Sequence, residues 1–146
     1  MEVKNPHYRQ LTESIFRSAA FVRDVDIAFV DCGPGWCESR LAILPRHLQH
    51  GGIVHAGVQA TIADHTSGAA ATTIIAPGQH VLTAEFKINL LRPAAGEVLF
   101  CRAEILKPGK SLIVVEAEVF AVSGADRTLV SKMTATMSVA ASGNPL

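Results

Sequence analysis

The chain has 146 residues, of which 49% are apolar, 18% charged and 5% aromatic. A chain of this length and hydropathy buries enough apolar surface for a folded core, which excludes an intrinsically disordered protein. Its 13 basic and 13 acidic residues cancel, and the few aromatic residues provide no stacking platform. We therefore expect no nucleic-acid partner.

Cysteine usage and the N-terminal segment indicate the cellular compartment. Cys32, Cys37 and Cys101 are odd in number and form no CxxC motif, which favours a reducing compartment over a disulfide framework or a structural zinc site. The N-terminal segment lacks the basic start and apolar run of a secretion signal. The apolar stretch 53–76 contains too many polar residues to span a bilayer. These features predict a cytoplasmic protein with no membrane segment.

The first half of the chain predicts two helices with a β-hairpin between them. Pro6 follows a capping Asn5, and apolar residues at helical spacing then predict a short helix over about 6–20. The β-forming residues of 25–44 flank a Gly-Pro-Gly turn and predict a hairpin or one bent strand. The Ala- and Thr-rich stretch 55–76 predicts one long helix, ended by a Pro-Gly stop.

The second half predicts strands. Over 81–92 apolar residues alternate with polar ones, which gives the strand one apolar face made of Leu82, Ala84, Phe86, Ile88 and Leu90. Three further alternating runs follow, separated by short turns rich in Gly and Pro. We predict that the four strands form an antiparallel meander. A single domain over 1–146 is expected.

The long helix has apolar residues on nearly every side and must therefore be enclosed by other elements. A curved sheet is the simplest enclosure in so short a chain. The predicted fold is α+β, with an antiparallel β-sheet wrapped around one long central α-helix.

Asp64 is the only formally charged residue in the predicted central helix. Burying an unpaired carboxylate costs several kcal/mol as an order of magnitude, so this side chain faces a polar cleft, is hydrogen-bonded, or acts in chemistry. A structural interpretation, in which Thr or Ser hydroxyls satisfy the carboxylate, stays open beside the catalytic one.

A loop rich in Gly and His leads into the same helix. The free N–H groups and the dipole of a helix N-terminus suit a carbonyl oxygen that acquires negative charge, although such a loop is often only a turn. His50, His55 and His65 lie near Asp64 in sequence, but they form no HExxH-like pair. No metal site is expected.

The spacing of Gln49, Gly52, His55, Gly57 and Asp64 resembles N-x-x-G-x-x-H-G-G followed by a helix-borne Asp, the pattern of the PaaI-like branch of the hotdog-fold acyl-CoA thioesterases. The segments TAEFKINLLRPAAGE and KPGKSLIVVEAEVF resemble later strands and turns of that family. Two departures stand out: Gln49 replaces the usual Asn, and Ala56 replaces the first Gly.

The resemblance implies a hotdog fold, thioester hydrolysis without a cofactor, and a set of site residues. Asp64 would be the general base or nucleophile, and the Ala56 N–H would polarise the thioester carbonyl. Gln49 and Thr83 would orient water, although Thr83 also fits an ordinary strand position. The remaining expected site residues are His55 and Gly57, which shape the loop, and Gln59, which lines the acyl pocket or makes structural polar contacts.

An acyl-CoA substrate carries phosphates that require local positive charge. The candidates are Arg92, Lys107 and Lys110, which lie at predicted turns. A non-catalytic acyl-CoA-binding hotdog protein is the main alternative. A hotdog hydratase is a third hypothesis. It would need an Asp-His dyad, but Asp64 and His65 are adjacent on a helix and point in different directions.

The site is expected to need two chains. Ala56 and Asp64 are eight residues apart, or about 12 Å along a helix, so one helix cannot present both groups to one thioester. An antiparallel second copy would bring the two groups together. A loop side chain that supplies the base within one chain is the alternative. The resemblance implies the same homo-oligomer, a dimer or a dimer of dimers.

Overall fold

The computed structural model describes residues 1–141 and 143. In chain order the elements are α1 (Tyr8–Ser18), α2 (Ala20–Val25), β1 (Ala28–Gly33), β2 (Trp36–Ala42), a 3₁₀ turn (Pro45–His47), α3 (Ala56–Thr72), β3 (Gln79–Leu90), β4 (Val98–Lys107), β5 (Leu112–Ser123) and β6 (Asp126–Ala141).

The N-terminal helix differs from the single helix predicted over 6–20. The Asn5 side chain accepts from the His7 N–H at 2.9 Å and closes a turn, so that α1 begins only at Tyr8. Ala19 is extended, with ψ of 104°, and breaks the path before α2 begins. Asp26, in the left-handed region, ends α2.

The strands form one antiparallel six-stranded sheet in the order β1-β2-β4-β5-β6-β3. The predicted hairpin between 25 and 44 is confirmed as β1 and β2. The predicted four-strand meander is wrong in one step, because β3 pairs with β6 rather than with β4. The connection 91–97 crosses three strand spacings, about 14 Å, which seven residues span easily.

The central helix α3 packs against one face of this sheet, in contact with β2 to β6, and is largely buried. Its polar residues are satisfied inside the core: Ser67 donates to the Ala63 carbonyl at 2.8 Å, and Thr66 shares a 2.6 Å hydrogen bond with Ser39 of β2. The helix ends at Thr72, not at 76, and a tight turn follows it. The predicted α+β architecture of a sheet around one helix is confirmed.

Strand β3 lies at the edge of the sheet, and most of its residues are exposed. The single apolar face predicted for this strand is wrong, because a register shift after Thr83 puts Leu82 on the other side of the sheet from Phe86 and Leu90. All three stay uncovered within the chain: Leu82 is 39% exposed, Phe86 43% and Leu90 51%. A long apolar edge strand of this kind is a template for pairing with another chain.

All three cysteines are free and buried. Among the residues that the structure describes, no helix is both long and apolar enough to cross a membrane.

Candidate active site

Asp64 and Thr83 meet where α3 packs beside β3. The Thr83 hydroxyl donates to Asp64 Oδ1 at 2.7 Å. Partial burial raises the pKa of the Asp64 carboxyl above its usual range, and the Thr83 hydrogen bond lowers it in part. The hydrogen bond from Thr83 is the kind of contact expected if Asp64 is only structural. A partly buried carboxylate with a raised pKa also suits a general base.

A β-bulge explains why Thr83 faces the helix. The pairing of β3 with β6 shifts between Thr83 and Glu85 and leaves Ala84 as an extra residue. Residues directly opposite each other on paired strands share a face of the sheet. Thr83 lies opposite the buried Met137, and Ile88 lies opposite the buried Met133, so both belong to the helix-facing side. The sequence analysis, which assumed strict alternation, predicted opposite faces for Thr83 and Ile88; the bulge makes that prediction wrong.

The N-terminus of α3 leaves one N–H group free. His55 is the N-cap, and its Nδ1 accepts from the Gly57 N–H at 2.8 Å. The His55 carbonyl accepts from the N–H groups of Val58 and Gln59. Within 1–141 and 143, no group accepts from the Ala56 N–H. The capping of its neighbours therefore leaves the Ala56 N–H available to an external acceptor.

The loop before α3 is held by backbone hydrogen bonds at both ends. The Gln49 N–H donates to the Ile53 carbonyl at 2.8 Å, and the Gly52 N–H donates to the Gln49 carbonyl at 3.0 Å. Gly52 has φ of 80°, which suits glycine at this turn. The Gln49 Oε1 accepts from the Gly51 N–H, so this amide oxygen folds back over its own turn.

Buried His47 supports this loop from beneath, a role that the sequence analysis missed. Its Nδ1 accepts from the Leu44 N–H at 3.0 Å, its Nε2 lies 2.9 Å from the Val25 carbonyl, and its own carbonyl accepts from the His55 N–H. The Nδ1 contact requires the proton on Nε2. A His next to a Pro-Arg turn carries no sequence signal for this function.

Gln59 lies one turn into α3 and is 4% exposed. Its Nε2 donates to the Val54 carbonyl at 3.3 Å, and its Oε1 has no partner among the described residues. The side chain therefore makes a structural polar contact and also borders the cleft at Ala56.

Three clefts surround these groups. The Ala56 cleft is lined by Gln49, His50, Ile53, Val54, His55, Ala56, Gln59, Leu90, Leu91, Arg92 and Pro93. The Asp64 cleft, of about 310 Å³, lies among α1, α3 and β3 and contains Asp64, His65, Gly68, Val81 and Thr83 together with Leu11 and Ile15. The Phe86 cleft borders Asp64 on its other side and contains Phe21, Ala60, Thr61 and Phe86.

The predicted site residues thus fall into two groups within one chain. Gln49, His55, Ala56 and Gln59 share one cleft, and Asp64 and Thr83 share another. Gly57, at the start of α3, is engaged by His55. Since Ala56 and Asp64 are separated by eight residues of continuous helix, the two groups lie about 12 Å apart along its axis.

The predicted phosphate contacts do not converge in one chain. Arg92 lines the Ala56 cleft and donates to the Leu129 carbonyl at 3.0 Å. Lys107 ends β4, and Lys110 borders a separate groove near Gln79 at the other end of β3. A twelve-residue strand spans about 40 Å, which separates Lys110 from Arg92.

His65 is a further residue of the Asp64 cleft, and the sequence analysis assigned it no role. His65 packs edge-on against Phe16, with ring centroids 4.5 Å apart, and burial lowers the pKa of its imidazole to about 4. His65 Nε2 has no partner among the described residues. Over the same part of the chain, no three His, Cys, Asp or Glu side chains come together as metal ligands.

Comparisons with known proteins agree with this architecture. Residues 51–127 match the thioesterase superfamily. A thioesterase family protein from Silicibacter pomeroyi is 31% identical, covers 92% of this chain and 98% of its own, and superposes with a TM-score of 0.89. The thioesterase HI1161 from Haemophilus influenzae is 21% identical over 99% of this chain and 98% of its own, with a TM-score of 0.85, and shares the fold.

A third solved structure, the BH2602 protein from Bacillus halodurans with CoA, is 30% identical over 70% of each chain, with a TM-score of 0.66. The family match spans more than half of the sequence, from the loop before α3 to the start of β6. The chain belongs to the thioesterase superfamily and has its hotdog fold. Membership supports thioester hydrolysis as the general activity.

Proposed function

We propose that the protein is an acyl-CoA thioesterase whose active site is shared between two copies of the chain. The observation that carries the proposal is the arrangement of α3, which has an unengaged N–H at Ala56 and a partly buried carboxylate at Asp64. The first suits the oxygen of a thioester carbonyl and the second suits an attacking water. The 12 Å between them requires a second helix.

In the proposed reaction, the thioester carbonyl oxygen accepts from the Ala56 N–H of one copy. Asp64 of the other copy removes a proton from water, and the water oxygen bonds to the carbonyl carbon. The C–S bond then breaks, and the CoA thiolate takes the proton from Asp64. Alternatively, the Asp64 carboxylate attacks the carbonyl carbon, and the C–S bond breaks to release the CoA thiolate, which takes a proton from solvent. Water then hydrolyses the resulting anhydride to the free acid and regenerates the Asp64 carboxylate. Thr83 holds the carboxylate in place in both routes.

The exposed edge strand β3 supports an assembly of this kind. Leu82, Phe86 and Leu90 leave apolar surface uncovered along a strand with one free edge. Pairing β3 with its two-fold copy would cover this surface and run the two α3 helices antiparallel. Each Asp64 would then approach the other copy's Ala56.

CoA as the leaving group is supported by the relative whose structure contains CoA and by Arg92 in the Ala56 cleft. One Arg92 N–H group holds the Leu129 carbonyl, which leaves the other guanidinium donors for a phosphate. In a dimer, Lys107 and Lys110 would contribute from the other copy.

One observation favours the alternative of a non-catalytic acyl-CoA-binding protein. The Gln49 Oε1 accepts from the Gly51 N–H, so one of its two lone pairs is engaged inside the loop instead of being directed at a water. Thiol release measured over a panel of acyl-CoAs separates the two functions. Hydrolysis that Asp64→Asn reduces at least about 10²-fold supports the enzyme, whereas binding without release supports the alternative.

Subunit mixing tests the shared site. Ala56→Pro removes the N–H at the first helical position, where proline fits, and His55 already has the extended backbone that precedes proline. Mixing inactive Ala56→Pro with inactive Asp64→Asn chains should restore about a quarter of wild-type activity, because half of the dimers are mixed and each has one intact site. Ala56→Ser, which keeps the N–H, is the matched control. No recovery despite proven subunit exchange contradicts the shared site.

A further inference from the structure

Gly68 is an unusual residue for the middle of α3. Glycine costs a helix interior about 1 kcal/mol relative to alanine, so a mid-helix glycine calls for a packing or ligand-related reason. A Cβ added at Gly68 would meet only Val81 Cγ2, at 4.0 Å. No part of the described chain occupies the space that the missing side chain leaves.

That space is part of the Asp64 cleft. Gly68 lies one helical turn beyond Asp64, on the same side of α3, and Val81 precedes Thr83 by two residues on the same face of β3. The cleft therefore continues from the Asp64–Thr83 hydrogen bond along the gap between helix and strand. Leu11 and Ile15, one turn apart on α1, form its outer wall.

We propose that the Asp64 cleft holds the acyl chain of the substrate, that the preferred substrates have straight acyl chains of about eight to twelve carbons, and that Gly68 determines this length. The proposal rests on the proposed thioesterase function, because it places the acyl chain beyond the carboxylate that activates water.

Two measures of the cleft give this length. The lining residues of α3 run from Asp64 to Thr72, about 12 Å along the axis, and an extended chain advances about 1.2 Å per bond, which corresponds to about ten bonds. The volume of about 310 Å³ holds about ten groups of the size of water, which is close to that of a methylene.

The lining of the cleft suits an uncharged chain. Leu11, Ile15, Ile75 and Val81 are apolar, and Thr72 donates its hydroxyl to the Gly68 carbonyl at 2.9 Å. The low pKa of His65 keeps its ring neutral at pH 7. Gln79 and His80 also line the cleft, at the end of β3 away from Thr83. Within the described part of the chain, the lining contains no Lys or Arg, and its one acidic residue is Asp64 at the mouth.

Binding of non-hydrolysable substrate analogues to the full chain tests the proposal. The probes are 2-oxoalkyl thioethers of CoA with four-carbon and ten-carbon chains, titrated by calorimetry. Each buried methylene strengthens binding up to about fourfold, so we expect the wild type to bind the longer probe at least about 30-fold more tightly. Gly68→Leu should reduce this ratio to about 3 or less, because leucine favours the helix and its side chain fills the cleft.

Two further variants complete the test. Gly68→Ala adds one carbon in open space and should keep most of the preference, which also shows that a substitution here preserves the fold. Ala60→Leu makes a matched change in the Phe86 cleft, on the other side of Asp64, and should leave the ratio unchanged. Equal affinities in the wild type, an unchanged ratio in Gly68→Leu, or a collapse caused by Ala60→Leu instead would each overturn the proposal.

The binding measurement separates this proposal from the proposed function. One outcome is that the ten-carbon probe binds tightly, Gly68→Leu abolishes this binding, and the protein releases no thiol from any acyl-CoA. That outcome supports the acyl chain in the Asp64 cleft and contradicts hydrolysis. Thiol release that is independent of chain length in both wild type and Gly68→Leu supports hydrolysis and contradicts an acyl chain in the Asp64 cleft.

Discussion

The Thr83 hydroxyl and the Asp64 carboxylate, 19 residues apart in sequence, share a 2.7 Å hydrogen bond across the gap between β3 and α3. The bond stabilises the ionised carboxylate and opposes the effect of burial on its pKa. The pH at which Asp64 becomes a base therefore depends on Thr83.

Thr83→Val removes this hydrogen bond with little change in shape. The pKa of Asp64 should rise further, and because the ionised form is the base, the acid limb of the kcat/KM profile should move to higher pH. The loss of activity should be larger at pH 5.5 than at pH 8. Thr61→Val, which removes a hydroxyl that donates to the Gly57 carbonyl on the same helix, is the control and should leave the limb in place. Equal losses at both pH values would contradict a role through Asp64.

Gln49→Asn should keep or raise activity. Asparagine forms the same hydrogen bond to the N–H two residues ahead that Gln49 makes with Gly51, so the turn survives while the amide moves back by one methylene. Gln49→Leu keeps the size and loses the amide, and thiol release should fall about 10-fold or more, as for a lost polar catalytic contact. If Asn and Leu variants lose activity equally, the amide group has no part in the reaction.

Arg92→Ala should raise KM for an acyl-CoA more than for a short acyl thioester that lacks the nucleotide, since only CoA carries phosphates. Steady-state kinetics on both substrates gives the comparison. Lys110→Ala should show the same selective effect if a second copy brings that residue to the Ala56 cleft. Lys4→Ala, in the same groove as Lys110, is the matched control. Identical changes on both substrates would remove the residue from the phosphate contacts.

The buried imidazole of His65 should make stability depend on pH. Its folded pKa of about 4 lies below the ordinary 6.5, so the unfolded chain binds the proton more readily. Stability is then complete above pH 6.5 and declines as pH falls towards 4, by roughly 1–2 kcal/mol between pH 7 and pH 5.

His65→Phe keeps an aromatic ring beside Phe16 and should remove this decline. Denaturant unfolding at pH 7 and pH 5, at one protein concentration, measures it. His50→Phe, in the exposed loop, should behave like the wild type. Parallel stability curves for wild type and His65→Phe would show that the ring is not the titrating group.

Periodicity predicted the elements well and their pairing less well. The hairpin of β1 and β2, the enclosed helix and the strands all follow from patterns of period 2 and 3.6. The partner of β3 does not, because the turn-like residues around Pro93 suit a hairpin and a crossing connection equally. In the structure the Ala94 carbonyl accepts from the Val54 N–H, so this connection is fixed by a segment about forty residues earlier in the chain.

The candidate site residues likewise divide into those that the sequence indicates and those that only the structure reveals. Asp64 stands out in the sequence because a lone charge in an apolar helix demands a partner. The free N–H at Ala56 follows from the capping of its neighbours, which needs coordinates. In the sequence Gly68 is one of several small helix residues that only hint at room for a ligand, and the empty space beside Val81 distinguishes it from the others.

The bulge at Ala84 makes the length of β3 as informative as its composition. If the same twelve residues paired with β6 without a bulge, Thr83 and Ile88 would point to opposite sides of the sheet; deleting Ala84 together with the bulge would keep them on one side. Among related chains, the presence of a hydroxyl residue in this strand therefore does not identify an equivalent partner for the helix carboxylate. The number of residues between that hydroxyl and the buried apolar residue is the more useful guide, because an even number requires a bulge for both to face the helix, whereas an odd number does not.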